Sequence, residues 1–186
     1  MTATAKRYSG TSRFIHWIMA ILVLGMTIVG FLMVREGLSR PLQNTLFISH
    51  KNIGVLLLIL IFVRLFVRWR NPPQLAPVKL APAQELAAKV THFGLYALLL
   101  IMPLAGYIRV RAGGFPIEAL DAMGVPALVP RSEALAEAAK AVHFYGAYAI
   151  AILIVMQIGA ECFHGLVKKY GEYASMCPQV SKGASG

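Results

Sequence analysis

The chain has 186 residues, of which 58% are hydrophobic and only 14% are charged, and its mean hydropathy is +0.65. This composition excludes an ordinary soluble domain of this size and favours a compact integral membrane protein. The formal net charge is +10, but the basic residues flank apolar stretches and form no run interleaved with aromatics, so we expect no nucleic-acid partner. Cys162 and Cys177 form neither CxxC nor CxxCH, which argues against a zinc site and a covalently attached c-type haem.

Four apolar stretches are long enough to cross a bilayer as helices, at about residues 14–34, 50–69, 90–110 and 142–166. Pro72 and Pro73 end the second stretch, and Pro103 should kink the third. The segment 112–131 is interrupted by glycine and proline, so we expect it to cap one membrane face. The sequence therefore predicts an all-α integral membrane four-helix bundle, with one domain over residues 1–186 and a tail at 167–186.

The distribution of lysine and arginine predicts the orientation. If the N-terminus is cytoplasmic, eleven of these residues lie on the cytoplasmic side and seven on the other side. Because cytoplasmic loops carry the excess of positive charge, we expect both termini to be cytoplasmic, as in a multi-pass membrane protein.

All five histidines stand at the ends of the predicted spans. With the topology above, His50 and His143 share the outer side, whereas His16, His92 and His164 share the inner side. A single histidine at such a place is usually a packed or solvated side chain. That explanation is weaker when all five histidines stand at span ends. Two imidazoles that face each other across a bundle suit six-coordinate haem iron, whereas zinc would require three or four ligands at one depth.

Several motifs occur in a fixed order along nearly the whole chain. They are Phe14-Ile15-His16-Trp17, His50-Lys51-Asn52-Ile53-Gly54 with Arg64 and Trp69-Arg70, Pro72-Pro73, His92-x-x-x-Tyr96 with Pro103 and Gly106, His143-Phe144, and His164. With this order, the chain resembles the bacterial cytochrome b561 family of four-helix membrane proteins, including superoxide oxidase-like members. The resemblance implies non-covalently bound haem b, electron exchange with quinone, and histidine ligands from the first, second and last spans.

Position 157 departs from the family pattern. The resemblance implies a second ligand histidine fourteen residues after His143, and this chain has Gln157 there. A glutamine amide is a poor ligand for haem iron. We therefore expect one haem, held by His50 and His143. A second haem remains open if His16 pairs with His164 or His92, and Gln157 is otherwise expected to hydrogen-bond a displaced group.

Other polar residues are weaker candidates. Arg64, Arg68 and Arg70 could bind haem propionates or a quinone head group, although topology anchors are their commoner role. His92 with Tyr96 could line a quinone pocket, or simply pack at a helix start. Near the outer haem, an anion such as superoxide could be steered by Arg109, Arg111 and Lys140, although neighbouring acids make ordinary loop charges the commoner explanation.

These observations predict an electron-transfer protein that connects quinone to an outer-side partner. The partner would be superoxide, a periplasmic redox protein or a larger respiratory complex, and membrane lipid surrounds the bundle. The alternative is a structural or assembly subunit that has lost part of the haem relay, which Gln157 keeps open. A histidine-lined transporter would require midplane polar residues and broken helices, of which the spans offer little beyond Gln157.

Overall fold

The computed structural model describes residues 9–72 and 81–162. They form five helices: α1 Gly10–Leu32, α2 Arg40–Arg70, α3 Pro82–Ala112, α4 Glu118–Ala122 and α5 Glu133–Cys162. No strand occurs within these two ranges. The predicted all-α class is therefore confirmed.

Local sequence signals explain where the long helices begin and end. The hydroxyl of Ser9 accepts a hydrogen bond from the Ser12 amide at 3.2 Å and so caps α1. Proline stands in the first turn of both α2 and α3, where its missing amide proton costs no helical hydrogen bond. The turn after α3 places Gly114 at φ +80°, a conformation that favours glycine.

Within the described ranges, four helices are long and apolar enough to cross a membrane, namely α1, α2, α3 and α5. All four begin before the predicted apolar spans, α1 by only four residues. Polar stretches at 40–49, 82–89 and 133–141 continue α2, α3 and α5, because a helix needs no lipid to keep its backbone hydrogen bonds. The end of the last predicted span, at 163–166, and the predicted tail lie outside the described residues.

The long helices pack mainly as α1 on α2, α2 on α3 and α3 on α5, and α1 also touches α5. The buried interior is thin and includes Met19, Leu57, Ile61 and Ala105. Large apolar side chains cover the outside, as in Val155, which is 70% exposed. An apolar exterior of this kind is stable in lipid and would not be stable in water.

The up-and-down order of the helices gathers the polar residues at the two ends of the bundle. The end of α1, the start of α2, the end of α3 and the start of α5 meet at one end, which contains His50 and His143 and is called the histidine-pair end. Residues from the opposite termini meet at the other end, which contains Arg64, Arg68 and Tyr96 and is called the arginine end.

Candidate functional site

The rings of His50 and His143 face each other across the bundle. Their centroids lie 6.1 Å apart, and their planes form an angle of 76°. Bonds from a metal ion to imidazole nitrogen are about 2.0 Å long, so two rings on opposite sides of one metal ion have their nitrogens about 4 Å apart and their centres about 6 Å apart. The observed spacing therefore fits one metal ion held between two histidines.

Glycines on two neighbouring helices support these rings. A Cβ atom added at Gly30 of α1 would lie 3.2 Å from Cε1 of His50. One added at Gly106 of α3 would lie 3.2 Å from Cε1 of His143. Either contact is tighter than ordinary packing, so a side chain at these positions would push a ring out of place.

The glycines within the ligand helices have a different environment. Beside Gly54 the nearest atom to an added Cβ is Cε of Met26 at 3.9 Å, and beside Gly146 the thioether of Met102 fills the space. Both neighbours are flexible methionine side chains, which fill irregular space and move more easily than branched ones. The sequence has Gly54 and Gly106 within the ordered motifs that contain the histidines. It gave no motif that contains Gly30. The one sequence signal for Gly30 is its position in the first span, at about the same depth as His50 in the second.

The two rings differ in their second nitrogen. Nδ1 of His143 lies 3.0 Å from the carbonyl oxygen of Met102, which can accept only if Nδ1 carries the proton. Nε2 of His143 is then left unprotonated and free to bind a metal ion. In His50, Nδ1 is buried and has no hydrogen-bond partner within the described ranges. A buried polar atom of this kind usually indicates a missing partner such as a bound group.

Two of the three predicted anion-steering residues form ion pairs. Arg111 pairs with Asp121 at 2.6 Å, and Lys140 pairs with Glu137 at 2.9 Å. Arg109 acts electrostatically on both histidine rings and forms no ion pair with any residue that the structure describes. Of the three predicted anion-steering residues, Arg109 is thus the one whose charge no ion pair neutralises among the described residues.

The segment between α3 and α5 covers the histidine-pair end. Lys51 donates to a carboxylate oxygen of Glu118 at 2.6 Å and to the carbonyl of Pro116 at 2.8 Å. The neighbouring Asn52 donates to Glu118 at 3.1 Å and accepts from the amide of Ala119 at 2.9 Å. These contacts attach α4 to the first turns of the apolar part of α2.

At the arginine end, two guanidinium groups meet at one phenol. Nε of Arg64 and Nη1 of Arg68 donate to the hydroxyl oxygen of Tyr96 at 3.2 and 3.3 Å. Both guanidinium carbons also lie over its ring, at 5.8 and 5.5 Å from the centroid. Nη1 of Arg64 is buried without a hydrogen-bond partner, and no carboxylate pairs with Arg64 or Arg68 among the residues described.

The other predicted histidines are less well paired. His16 is half-buried, with Arg64 and His92 as its ionisable neighbours, and its ring contacts that of Trp17 at 5.7 Å. His92 is exposed. No second histidine ring contacts His16 within residues 9–72 and 81–162, and His164 lies outside them. Gln157 donates to Glu161 at 3.1 Å, one turn further along α5.

Comparison with known proteins identifies the family. The sequence model described as prokaryotic cytochrome b561 matches residues 7–179. The chain belongs to the prokaryotic cytochrome b561 family. The predicted resemblance is confirmed, and the protein is accordingly a membrane haem b electron-transfer protein.

Curated relatives cover almost the whole chain. Cytochrome b561 homolog 2 of Escherichia coli K12 is 34% identical over 168 residues, which are 90% of this chain and 89% of that protein. Cytochrome b561 homolog 1 of the same organism is 28% identical over 180 residues, covering 94% and 98%. The probable superoxide oxidase CybB of Yersinia pestis is 26% identical over 179 residues, covering 94% and 97%.

The residues at the histidine-pair end fit the haem b that the family implies. They provide two facing imidazoles, a carbonyl that fixes the tautomer of one, an unpartnered nitrogen on the other, and glycine surfaces behind both rings. The arginine end presents no such pair of histidines within the part of the chain that the structure describes.

Proposed function

We propose that this cytochrome b561 protein carries one haem b between His50 and His143 and exchanges electrons between quinone and a partner at the histidine-pair end. The 6.1 Å separation of the two rings is the observation that supports this best. When bound, the haem would supply a one-electron couple between ferric and ferrous iron.

The chain itself would orient and tune the haem. The carbonyl of Met102 accepts a hydrogen bond from Nδ1 of His143 and leaves Nε2 available to the iron, and hydrogen bonding of this kind raises the basicity of the ligand. Arg109 adds positive charge next to both rings, which would favour the reduced state and attract an anionic group. Haem propionates and superoxide are both anions that this charge would favour.

We place quinone at the arginine end. Reduction of a quinone takes up two electrons and two protons, so its site needs hydrogen-bond donors and a source of protons. The oxygen of Tyr96 already accepts two hydrogen bonds from arginine, which leaves its own proton free to be donated. The guanidinium groups would stabilise negative charge that develops on a quinone oxygen, and His92 would return a proton to Tyr96.

The outer partner divides the proposal into two versions. In the first, the partner is superoxide, by analogy with the Yersinia pestis relative, which is named a probable superoxide oxidase. In the second, the chain is the cytochrome subunit of a periplasmic redox partner or a respiratory complex. Generating superoxide beside the purified protein and following haem reduction and quinol formation separates these versions.

The absorption spectrum of the purified protein tests the proposal directly. Sharp bands of a reduced b-type cytochrome, with one haem per chain by pyridine haemochrome, support it. A colourless protein overturns it and favours a structural or assembly subunit, for which the engagement of Gln157 by Glu161 is the supporting observation.

Replacing Gln157 with histidine tests the second haem. We expect Gln157→His to raise the stoichiometry toward two if His16 is within reach, and a matched Ile158→His variant to leave it at one. A wild type that already holds two haems would instead favour His16 pairing with His164 or His92.

The proposed location is the bacterial inner membrane, with both termini in the cytoplasm. The histidine-pair end would then face the periplasm. Reporter fusions at each terminus test this orientation, and activity of a periplasmic reporter at either end would overturn it.

A further inference from the structure

The residues that directly follow His50 connect it to another part of the chain. Lys51 and Asn52 together make four hydrogen bonds to the segment 116–119, and Glu118 takes part in two of them. Along the chain, Glu118 lies 67 positions from Lys51 and 66 positions from Asn52. The contact set of Lys51, Asn52 and Glu118 is called the cap latch.

A second contact holds the same segment to α3. Arg111 pairs with Asp121 at 2.6 Å, and the other oxygen of Asp121 accepts from the amide of Ile117 at 3.2 Å. The side chain of Ile117 is 1% exposed. Residues 116–121, called the cap, are thus fixed to α3 independently of the latch, and they can serve as a rigid support against which α2 is held.

The cap latch differs from the surface ion pairs of this chain. The side chain of Lys51 is only 16% exposed, whereas both members of the Glu137–Lys140 pair are more than half exposed. A partly buried pair with additional hydrogen bonds is screened less by water than an exposed one and restricts its helix more strongly. The Glu137–Lys140 pair connects two residues of one helix, so it cannot fix α2.

The position of this latch determines what it can affect. His50, Lys51 and Asn52 lie within one helical turn, so a rotation of that turn moves the imidazole ring. No hydrogen bond holds Nδ1 of His50 within the described ranges, in contrast to His143, whose ring is held by Met102. The orientation of His50 must therefore come from its backbone and from Gly30 behind the ring.

We propose that Glu118 is a positioning residue for His50: by binding Lys51 and Asn52 it fixes the turn of α2 that presents the ring to His143. This inference rests on the proposed function, since it assigns to Glu118 a role in holding the haem. It predicts that loosening the latch weakens haem binding, whichever partner is changed.

A purely electrostatic role of Glu118 would give a different pattern. Loss of the negative charge in Glu118→Gln and loss of the positive charge in Lys51→Met would shift the haem potential in opposite directions. A positioning role makes both variants lose haem faster. Asn52→Ala removes latch hydrogen bonds without a change of charge, so it isolates positioning from charge.

Haem transfer from the purified full-length protein to apomyoglobin measures the effect, together with the midpoint potential and the electron paramagnetic resonance spectrum. We expect Glu118→Gln, Lys51→Met and Asn52→Ala each to raise the haem dissociation rate about 10-fold, the lower end for residues that orient a metal ligand. Glu118→Asp should recover part of the loss. The control Glu137→Gln should match the wild type.

The outcomes separate this inference from the proposed function. A colourless wild type would overturn both. A wild type that holds haem, with all three latch variants within twofold of its dissociation rate, would overturn the positioning role alone. Equal and opposite shifts of the midpoint potential in Glu118→Gln and Lys51→Met, without faster haem loss, would also overturn the positioning role. Asn52→Ala, which keeps both charges of the ion pair, also provides a reading if Glu118→Gln does not accumulate.

Discussion

The two ends of the bundle use the same residue types in different arrangements. At the histidine-pair end, two rings face each other at 6.1 Å, and glycines lie directly behind them. At the arginine end, His16 has no facing histidine in the described residues, and two arginines converge on the hydroxyl of Tyr96. The first arrangement suits a metal ion between nitrogens, whereas the second suits an oxygen-bearing ligand that accepts hydrogen bonds and protons.

This difference shows why a histidine at a span end is not by itself a ligand. His16 and His92 have the same kind of sequence position as His50 and His143. What distinguishes the pair is the depth at which two helices present their rings and the small residues on the helices behind them. Whether the two ends act independently can be tested by changing one end and measuring whether the other responds.

The largest expected effect comes from removing a ring of the pair. His143→Ala and His50→Ala should each abolish the b-type spectrum, because one remaining imidazole leaves six-coordinate haem iron without its second ligand. His92→Ala, at the arginine end, is the control and should keep the full haem content. Pyridine haemochrome of the purified variants gives the measurement. Full haem in both pair variants would end the assignment of this site.

A smaller effect is expected from filling the space behind a ring. Gly30→Ala places a methyl group 3.2 Å from Cε1 of His50, so the ring must shift and haem affinity should fall about 10-fold. Gly25→Ala is a matched control on the same helix, because a Cβ there meets no atom of the described residues within 4 Å. Both substitutions gain up to about 1 kcal/mol of helix propensity, so that the difference between them reports the contact. Equal haem affinity in the two variants would show that the ring does not need this surface.

The arginine end can be tested without touching the haem. Tyr96→Phe removes the oxygen to which Arg64 and Arg68 donate, and a hydrogen bond to a charged group contributes about 1.5–3 kcal/mol. We expect the KM for a quinone substrate to rise about 10-fold or more, with unchanged haem content. Tyr148→Phe, on the exposed surface of α5, is the control. A loss of haem in Tyr96→Phe, with quinone kinetics retained, would instead indicate that Arg64 and Arg68 bind the haem propionates.

Much of this architecture could be predicted from the sequence, because hydropathy and helix length depend on local composition. The four apolar stretches and the pairing of His50 with His143 follow from spacing and membrane thickness. The support by Gly30 and the latch to Glu118 could not be predicted, since both depend on which helices become neighbours and on their rotation. Lys51 has the sequence signature of a topology charge, and only the fold shows that it binds a cap 67 residues away.

The smallest expected effect is the pH dependence of the cap, which depends on the carboxylates of Glu118 and Asp121. The hydrogen bond from Arg111 lowers the pKa of Asp121. For Glu118, burial acts to raise the pKa, but the hydrogen bonds and charge of Lys51 and the other donors outweigh it, so this pKa is also lowered. A carboxyl group with a lowered pKa in the folded state stabilises that state at neutral pH, and the contribution is lost as the pH falls through the folded pKa. We therefore expect the cap to stay closed from pH 8 to 5 and to loosen only below the ordinary carboxyl range of about pH 4.

Hydrogen exchange of the Ile117 and Ala119 amides, expressed as protection relative to an unstructured peptide, measures this. Asp121→Asn should lower the protection of Ile117 already at neutral pH, because the amide group that replaces the carboxylate carries no charge to hold Arg111. Loss of protection between pH 5 and 7 in the wild type would instead mean that a group other than these two carboxylates controls the cap.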